Sequence, residues 1–343
     1  MLQTSHFSRF NRILVTSSTN PHLNLAQELD LLHKPKSDEK ILYLWRNDPV
    51  VVIGKHQNPY KECNLPFMKE KNILLARRPT GGGAVYQDLG NTCWTFLAPK
   101  LEIKENTQVL LSALTSLGID AKQTGRNDIE FDGKKISGAA FRNLQYRTIH
   151  HGTMLMNVDM NTLTKALTVD HSKLKAKGVD SVRSRVLNLI EISPNITHEK
   201  FCDALIESFQ KSYGKCPVEF IDKDRMLSEP NVALKYKQFS SKHWLFNKSS
   251  KAEINFSKRF PFGLFDVIIK VSEGESPLCS VHSDCLSNDV VEKFEDYVNE
   301  FLESQGNVSF FQSTFLQSLN SQEDKMMAMQ LIQWIKPLLG QWI

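Results

Sequence analysis

Residues 76–96 read ARRPTGGGAVYQDLGNTCWTF: two arginines, three consecutive glycines, and then two segments of strand-forming residues around a turn. Successive backbone N–H groups on a glycine-rich turn can form a cradle for phosphate, and arginine adds a planar fork that pairs with phosphate oxygens. A glycine-rich bulge at a sheet edge is the structural alternative. No G-x-x-x-x-G-K-[S/T] motif occurs in the chain. The stretch therefore favours a phosphate-binding turn outside the kinase and dehydrogenase types.

Residues 124–142, TGRNDIEFDGKKISGAAFR, carry a second candidate site. Asp132-Gly133 predicts a hairpin turn. Because neighbours in a strand point to opposite faces, only one of the tandem lysines 134 and 135 can enter a site. The small residues 137–140 suit a ligand that lies against the backbone. The alternatives are a solvated hairpin for the lysines, and turn capping for Asn127 and Asp128.

The composition is that of an ordinary globular chain, with 343 residues, 41% hydrophobic and 23% charged. No segment is apolar enough to span a membrane, and a net charge of +4 is too small to make nucleic acid the expected partner. The six cysteines form no C-x-x-C pair, which favours a reducing compartment and argues against structural zinc.

The pattern of strands, helices and turns predicts an α+β chain with four parts. They are an N-terminal extension over 1–12, a strand-rich mixed domain over 13–225, a polar junction or irregular segment over 226–256, and a small α+β domain over 257–343. No acid precedes Glu28. Such a start is typical of a mitochondrial transit segment, and a frayed terminus is the alternative.

Six segments together resemble the biotin/lipoate–protein ligase family, and within it the lipoate–protein ligase A group. They are NPHLNLAQE from Asn20, WRNDPVVVIGKHQN from Trp45, the two stretches above, HHGTMLMNVD from His150, and KGVDSVRSRVLNL from Lys177. The resemblance implies a fold like that of biotin ligases and class II synthetases: a mixed sheet with flanking helices, plus a small α+β C-terminal domain.

The resemblance also implies a reaction. Lipoate is activated with ATP and Mg²⁺ to lipoyl-AMP, and the lipoyl group then passes to one lysine of an apo lipoyl domain. The acceptors would be 2-oxoacid dehydrogenase E2 subunits and the glycine-cleavage H protein. A transient, electrostatic contact with a monomeric enzyme is expected, in mitochondria if the source is eukaryotic and in the cytoplasm if it is bacterial.

The matching positions imply the site residues. Lys135 would be the catalytic residue that contacts both the acyl carboxyl and the nucleotide. A fixed cation is most useful there, because two anions must meet in the first step. The same matching implies ATP or adenylate contacts at Arg78, Gly83, Ala84, Val85 and Tyr86. The chemistry of the reaction suggests the other candidates: backbone N–H groups near Gly138 for the adenylate carbonyl, Asn127 and Asp128 as support for Mg²⁺, and an acyl pocket lined by Val51, Ile53, Ala139 and Met154, with Arg142 and His151 at its entrance.

Two departures from the family pattern keep an alternative open. Gln87 stands where the family usually has histidine, and residues 242–247, KHWLFN, lack the acid and glycine of the usual Trp-Glu-Trp-x-Phe-Gly. The alternative is a lipoyltransferase that uses preformed lipoyl-AMP or a lipoylated carrier protein without ATP activation. Octanoyl transfer is disfavoured, because no cysteine lies between Lys135 and Thr153.

Overall fold

The computed structural model describes residues 11–34, 38–125, 127–167, 186–246, 254–270, 278–304 and 309–339. Within these ranges the chain forms two compact units. The first takes its residues from Met1–Val52, Cys63–Ala76 and Val85–Leu245, and the second from Ile53–Glu62, Arg77–Ala84 and Phe246–Ile343. The sequence does not predict that two short early segments group with the C-terminal residues. The expected extension up to residue 10, the basic stretch over 175–185 and Asn247 lie outside the described residues.

An eight-stranded mixed sheet forms the centre of the first unit, in the order β11-β1-β2-β6-β10-β9-β8-β7. Strands β11, β1 and β2 are parallel, and the pairs from β2 to β7 are antiparallel. The strands are β1 Arg12–Thr16, β2 Ile41–Trp45, β6 Asn91–Ala98, β7 Lys122–Thr124, β8 Asp128–Phe131, β9 Lys134–Asn143, β10 Thr148–Leu155 and β11 Val218–Ile221.

Helices cover both faces of this sheet. Helix α1, Pro21–His33, begins at Asn20, whose side chain accepts a hydrogen bond from the Leu23 N–H. Its leucines pack with Tyr43 and Trp45 of β2 on what we call the α1 face. Helices α4, Ile103–Ser116, and α7, His198–Tyr213, pack with Leu44, Trp94 and Phe96 on the opposite face, the α4 face. Alternation of side chains along the strands supplies both cores, and a bulge interrupts it in β9.

Several shorter elements lie outside the eight-stranded sheet, over residues 50–87 and 160–192. A second sheet has the order β4-β3-β5. The elements are β3 Val50–Ile53, α2 Pro59–Glu62, α3 Leu65–Glu70, β4 Leu74–Arg77, β5 Val85–Gln87, α5 Met160–Ala166 and α6 Leu189–Ile192.

The polar segment after β11 is helical, so the irregular alternative predicted for it is wrong. It forms α8 Lys223–Ser228, α9 Pro230–Phe239 and α10 Lys242–Phe246. The Asp222 side chain caps α8, and proline stands in the first turn of α9. Val232 and Phe239 of α9 are buried with the α1-face core. Two buried side chains in ten residues hold the helix in place, and the polar composition hid them.

The second unit has its own α+β core, as the sequence predicts. Strands β12 Ile254–Phe260, β13 Gly263–Lys270 and β14 Leu278–Ser283 form an antiparallel sheet. Helices α11 Asn288–Glu303, α12 Ser309–Ser318 and α13 Gln322–Leu339 follow. Phe265, Phe294 and Leu331 are fully buried together. Among the described residues, no helix combines the length and apolarity that crossing a membrane requires.

Candidate active site

The hairpin β8–β9 presents Lys135, as the Asp132-Gly133 signal predicts. Both turn residues have positive φ, 48° and 71°. The Lys135 Nζ lies 2.8 Å from Asp128 Oδ1, and both side chains are about one-third exposed, 36% and 31%. Lys134 is exposed. Of the two lysines, Lys135 is therefore the one held in a defined position, next to a carboxylate.

A β-bulge in this hairpin decides which face Lys135 occupies. Ser137 pairs with Ile129, but Lys135 pairs with Glu130, so Ile136 is the extra residue. Lys135 and Gly138 consequently lie on the same face although they are three residues apart. A Cβ added to Gly138 would lie 2.6 Å from Lys135 Nζ. Because Gly138 has no side chain, there is room above it for the Lys135 ammonium.

The predicted acyl-pocket residues lie on two faces of the sheet, and the bulge decides which of them share a face with Lys135. On the α1 face, Gly138 pairs with Thr153, Ala140 with His151, and Arg142 with Ile149. Ala139 and Met154 lie on the α4 face, and Met154 is fully buried in that core. Lys135, Arg142 and His151 thus share a face, and Ala139 and Met154 lie on the opposite one, so the structure does not bring the five residues together. Simple alternation counted from Lys135 misassigns every residue beyond Ile136.

Beneath the hairpin, the α4 face contains a small cavity of about 10 Å³, lined by Trp94, Ser137, Ala139 and His150 among others. Burial lowers the His150 pKa to about 3, so this imidazole is neutral at physiological pH. The Trp94 Nε1 and Ser137 Oγ atoms are buried without a hydrogen-bond partner among the described residues. A space of this size accommodates roughly one water and not an acyl chain.

The α1 face contains a buried polar cluster that the sequence analysis missed. Glu28 is fully buried, and its Oε1 accepts hydrogen bonds from Thr95 Oγ1 at 2.6 Å and from His151 Nδ1 at 2.8 Å. Trp45 Nε1 donates to Thr95 Oγ1 at 3.2 Å. The signal was an acid in the apolar stripe of α1. His151 is accordingly held by a hydrogen bond to a buried carboxylate.

Asn127 and Asp128 differ in what they do. The Asn127 Nδ2 donates to the Ala139 carbonyl at 2.6 Å, and the Asn127 carbonyl accepts from the Ala139 N–H at 2.9 Å. Asn127 therefore fastens the start of β8 to β9, and its predicted support of Mg²⁺ stays a prediction. Within the described ranges, no three metal-ligating side chains form a cluster.

The two arginines before the glycines are buried and bond to backbone carbonyls. Arg77 Nη1 donates to the carbonyls of Lys55 and Gln57 at 2.8 and 2.7 Å. Arg78 Nη2 donates to the carbonyls of Gly81 and Gly83 at 2.7 and 2.8 Å. In this structure the Arg78 guanidinium holds the backbone of the glycine loop, whereas the Arg77 guanidinium holds the segment that follows β3. Direct contact of Arg78 with phosphate stays a prediction.

The glycine loop, residues 79–84, packs against the turn before α11 within the second unit. Gly82 N donates to the Cys285 carbonyl at 3.2 Å, and Asn288 Nδ2 donates to the Pro79 carbonyl at 3.1 Å. A Cβ at Gly81 would lie 2.3 Å from the Cys285 carbonyl oxygen, so only glycine fits there. Gly83 is exposed, and a Cβ on it would meet nothing within 4 Å.

The residues after the loop form strand β5. Val85 is half-buried and Tyr86 is buried; burial, reinforced by Asp88, raises the Tyr86 pKa above its usual range. Gln87, which replaces the usual histidine, accepts a hydrogen bond from Asn47 Nδ2 at 2.8 Å. Position 87 therefore holds a buried, hydrogen-bonded side chain at the end of β5.

The unusual 242–247 segment also has ordered contacts. Trp244 stacks on Phe239 with ring centroids 4.9 Å apart. Phe246 contacts Tyr60 in the second unit, with centroids 5.6 Å apart. The aromatic residues of the family motif are therefore used in packing even though its acid and glycine are absent.

Comparison with known proteins identifies the relatives of this arrangement. Residues 20–210 match the family model of the lipoyl protein ligase A/B catalytic domain. The chain is 41% identical over 288 residues to "Lipoate-protein ligase A" of Bdellovibrio bacteriovorus, covering 82% of this chain and 85% of the relative. The crystal structure of P. falciparum LipL1 in complex with lipoate aligns at a TM-score of 0.79 and 33% identity, covering 95% of this chain and 100% of the other.

Two further solved structures cover the larger part of the chain. One is a bipartite lipoate protein ligase with its E2 lipoyl domain from Thermoplasma acidophilum, at a TM-score of 0.62 and 27% identity, covering 71% of this chain and 99% of the other. The other is a lipoate-protein ligase A bound with ATP, at 0.61 and 26%, covering 69% and 98%. The predicted α+β ligase fold is confirmed by these neighbours.

Proposed function

We infer that this chain, which belongs to the lipoyl protein ligase A/B family, is a lipoate–protein ligase that activates lipoate with ATP and transfers it to a lysine of a lipoyl domain. The observation that carries the inference is the match over residues 20–210, which includes the bulged hairpin holding Lys135 over Gly138. Relatives of this chain were solved with lipoate and with ATP, and both ligands suit the residues described above.

In the first step, a lipoate carboxylate oxygen attacks the α-phosphorus of ATP, the new O–P bond forms, and pyrophosphate leaves with the electron pair. Both reactants are anions. The Lys135 ammonium stabilises the negative charge that builds up between them. In the structure this ammonium pairs with Asp128, so a bound carboxylate or phosphate would share or replace that partner. The long, flexible stem of lysine permits the exchange.

In the second step, the acceptor lysine amine attacks the acyl carbonyl carbon, the amide bond forms, and AMP leaves with the electron pair of the broken C–O bond. The amine must also lose a proton. Lys135 is placed to stabilise the carbonyl oxygen as it becomes negative. Because one cation serves both steps, a Lys135 variant should impair adenylate formation and transfer together.

We propose that the acyl chain lies on the α1 face, along Gly138 and Ala140. The small side chains there would let an acyl chain lie close to the backbone, with Lys135 at its carboxyl end. The Glu28–His151 pair lies beside Ala140 on the same face, so it would border the chain. The roles proposed for Arg142, Val51 and Ile53 in this pocket stay predictions.

Mg²⁺ is proposed as the partner of the ATP phosphates. The described residues offer Asp128 as a carboxylate, and no three-ligand cluster occurs among them. Mg²⁺ in nucleotide sites is held by one or two carboxylates together with phosphates, so Asp128 fits the role of a single protein ligand. When bound, the ion would neutralise phosphate charge. Lys135 and Asp128 would together determine where that charge lies.

We propose that the acceptors are E2 lipoyl domains and the glycine-cleavage H protein, and that the enzyme acts as a monomer. Mass spectrometry tests this proposal. Apo acceptor incubated with the protein, ATP, Mg²⁺ and lipoate should gain one lipoyl group. A chain that modified no acceptor under these conditions would not be the ligase described.

The lipoyltransferase alternative predicts a different pair of results. It expects no pyrophosphate release from ATP and lipoate, together with transfer from supplied lipoyl-AMP. The ordered glycine loop and the bonded Gln87 favour retention of the ATP step. A pyrophosphate assay beside the transfer assay separates the two functions.

The location is also a proposal: mitochondrial in a eukaryotic source, on the acid-free start of the sequence, or cytoplasmic in a bacterium. Residues 1–27 fused to a fluorescent protein would direct it to mitochondria in the first case. A diffuse signal would contradict it.

A further inference from the structure

The backbone carbonyl of Lys135 lies just beyond the last pair between β9 and β10, which joins Ser137 to Met154. The sheet therefore offers that carbonyl no partner from β10. Instead, the Leu187 N–H donates to it at 2.9 Å, and Val186 forms a parallel bridge with Lys135. A short segment from a distant part of the chain thus completes the hydrogen bonding of the lysine that the proposed function makes catalytic.

The side chain of Asn188 fixes this segment. Asn188 is 6% exposed, its Oδ1 accepts from the Val158 N–H at 2.9 Å, and its Nδ2 donates to the Val158 carbonyl at 3.0 Å. The amide therefore satisfies both backbone groups of one residue, as a neighbouring strand would. No shorter or apolar side chain can supply both bonds.

The residues after Asn188 are equally well ordered. The Asn188 N–H donates to Glu191 Oε1 at 3.0 Å, Leu189 is fully buried, and the Ile190 N–H donates to the Met156 carbonyl at 3.0 Å. These bonds tie the segment to the chain that follows β10. Asn188 stands between this anchor and Leu187, so its side chain determines where the Leu187 N–H points.

We propose that Asn188 is a positioning residue for Lys135, acting through Leu187. This rests on the proposed function, because it gives Lys135 its task. The bulge turns Lys135 to the α1 face, and the Leu187 bond fixes the backbone from which its side chain extends toward Gly138 and Asp128. A displacement of about 1 Å at a reacting group can reduce a rate by about 10²-fold. Loss of the Asn188 side chain should therefore lower kcat by more than its effect on folding stability can explain.

The test compares Asn188→Ala with Asn106→Ala. Asn106 is also buried in the first unit, and it lies within hydrogen-bonding distance of His150 rather than bonding the strand end of Lys135. Three quantities are measured well below the melting temperature of each variant: the amide hydrogen exchange of Leu187, the kcat for lipoyl-AMP formation, and the KM values for lipoate and ATP. Exchange reports the backbone bond independently of activity.

For Asn188→Ala we expect Leu187 exchange to rise at least about tenfold and kcat to fall about 10- to 100-fold, with KM values changed less than about threefold. Asn106→Ala should lower the melting temperature and leave kcat within about twofold. Faster Leu187 exchange with unchanged kcat would overturn the proposal, as would an equal loss of kcat in Asn106→Ala. Absence of adenylate formation by the wild type would instead remove the proposed function, and an unchanged Leu187 exchange would remove the positioning contact alone.

Discussion

The Lys135 hairpin and the glycine loop place functional groups in contrasting ways. The hairpin is built by neighbours in the sequence: Asn127 bonds Ala139, twelve residues away, and Asp128 pairs with Lys135. The glycine loop is held from a distance, since Asn288 bonds Pro79 across 209 positions. Damage to the hairpin should therefore act on the chemistry, whereas damage to the loop can begin far away in the second unit.

The largest effect is expected at Lys135 itself. Lys135→Ala removes the cation proposed to stabilise charge in both steps, and the rate of lipoyl-AMP formation should fall by about 10³-fold or more. Lys134→Ala is the matched control, because that side chain is exposed, and its rate should stay within about twofold. Pyrophosphate release measures both variants, and circular dichroism confirms that they fold. Equal activity of the two variants would contradict the assignment of Lys135.

Substitutions in the glycine loop should have the next largest effect on activity, and the effect should differ between Gly81 and Gly83. Gly81→Ala would put a Cβ 2.3 Å from the Cys285 carbonyl oxygen, so the loop must move. We expect the KM for ATP to rise about 10- to 100-fold, with a smaller change in the KM for lipoate. Gly83→Ala, where the added Cβ meets nothing within 4 Å, should raise the KM for ATP by at most about threefold.

The reverse order, with Gly83 more sensitive than Gly81, would show that close approach of ATP to residue 83 matters more than the shape of the loop. Steady-state kinetics at several ATP concentrations distinguish these outcomes. Either result sharpens the contrast with the hairpin, where a glycine leaves room for a side chain of its own strand.

Ala139 and Ala140 provide a matched pair of positions, because they are neighbours in β9 and lie on opposite faces of the sheet. Ala140→Leu adds bulk on the face of Lys135 and should raise the KM for lipoate about tenfold, because the proposed acyl path runs there. Ala139→Leu adds the same bulk to the opposite face, where the cavity is only about 10 Å³. It should cost about 1–3 kcal/mol of stability through overpacking and leave the KM for lipoate nearly unchanged. Thermal melts and lipoate kinetics test both. A pocket on the α4 face would produce the opposite result.

Sequence reasoning succeeded where local signals decide the structure. Asn20-Pro21 predicted the start of α1, and Asp132-Gly133 predicted the hairpin that presents Lys135. It did not predict the bulge at Ile136, because a bulge has no signature beyond its fit to the partner strand. This single extra residue places Lys135 on the face opposite to Ala139 and Met154.

Longer-range features were invisible for a different reason. The Glu28–His151 pair joins residues 123 positions apart. Arg77 and Arg78 have the fork geometry expected for phosphate, yet in the structure their donors meet backbone carbonyls, and nothing in the sequence distinguishes these two acceptors. Residue types fix which bonds are possible, whereas the tertiary fold decides which of them form.

The smallest of the expected effects tests whether the loop depends on its contact with helix α11. Asn288→Ala removes the hydrogen bond to the Pro79 carbonyl, worth about 1 kcal/mol, so the KM for ATP should rise about fivefold if that bond holds the loop. Asn299→Ala is the control on the same helix: its amide bonds the Cys279 backbone in the second unit's own sheet. It should lower the melting temperature at least as much and leave the KM for ATP unchanged. If both variants raised the KM alike, general stability of the second unit would control the loop, and the specific contact at Pro79 would carry no function. If only Asn288→Ala raised it, the long-range bond would be as much a part of the nucleotide site as the glycines themselves.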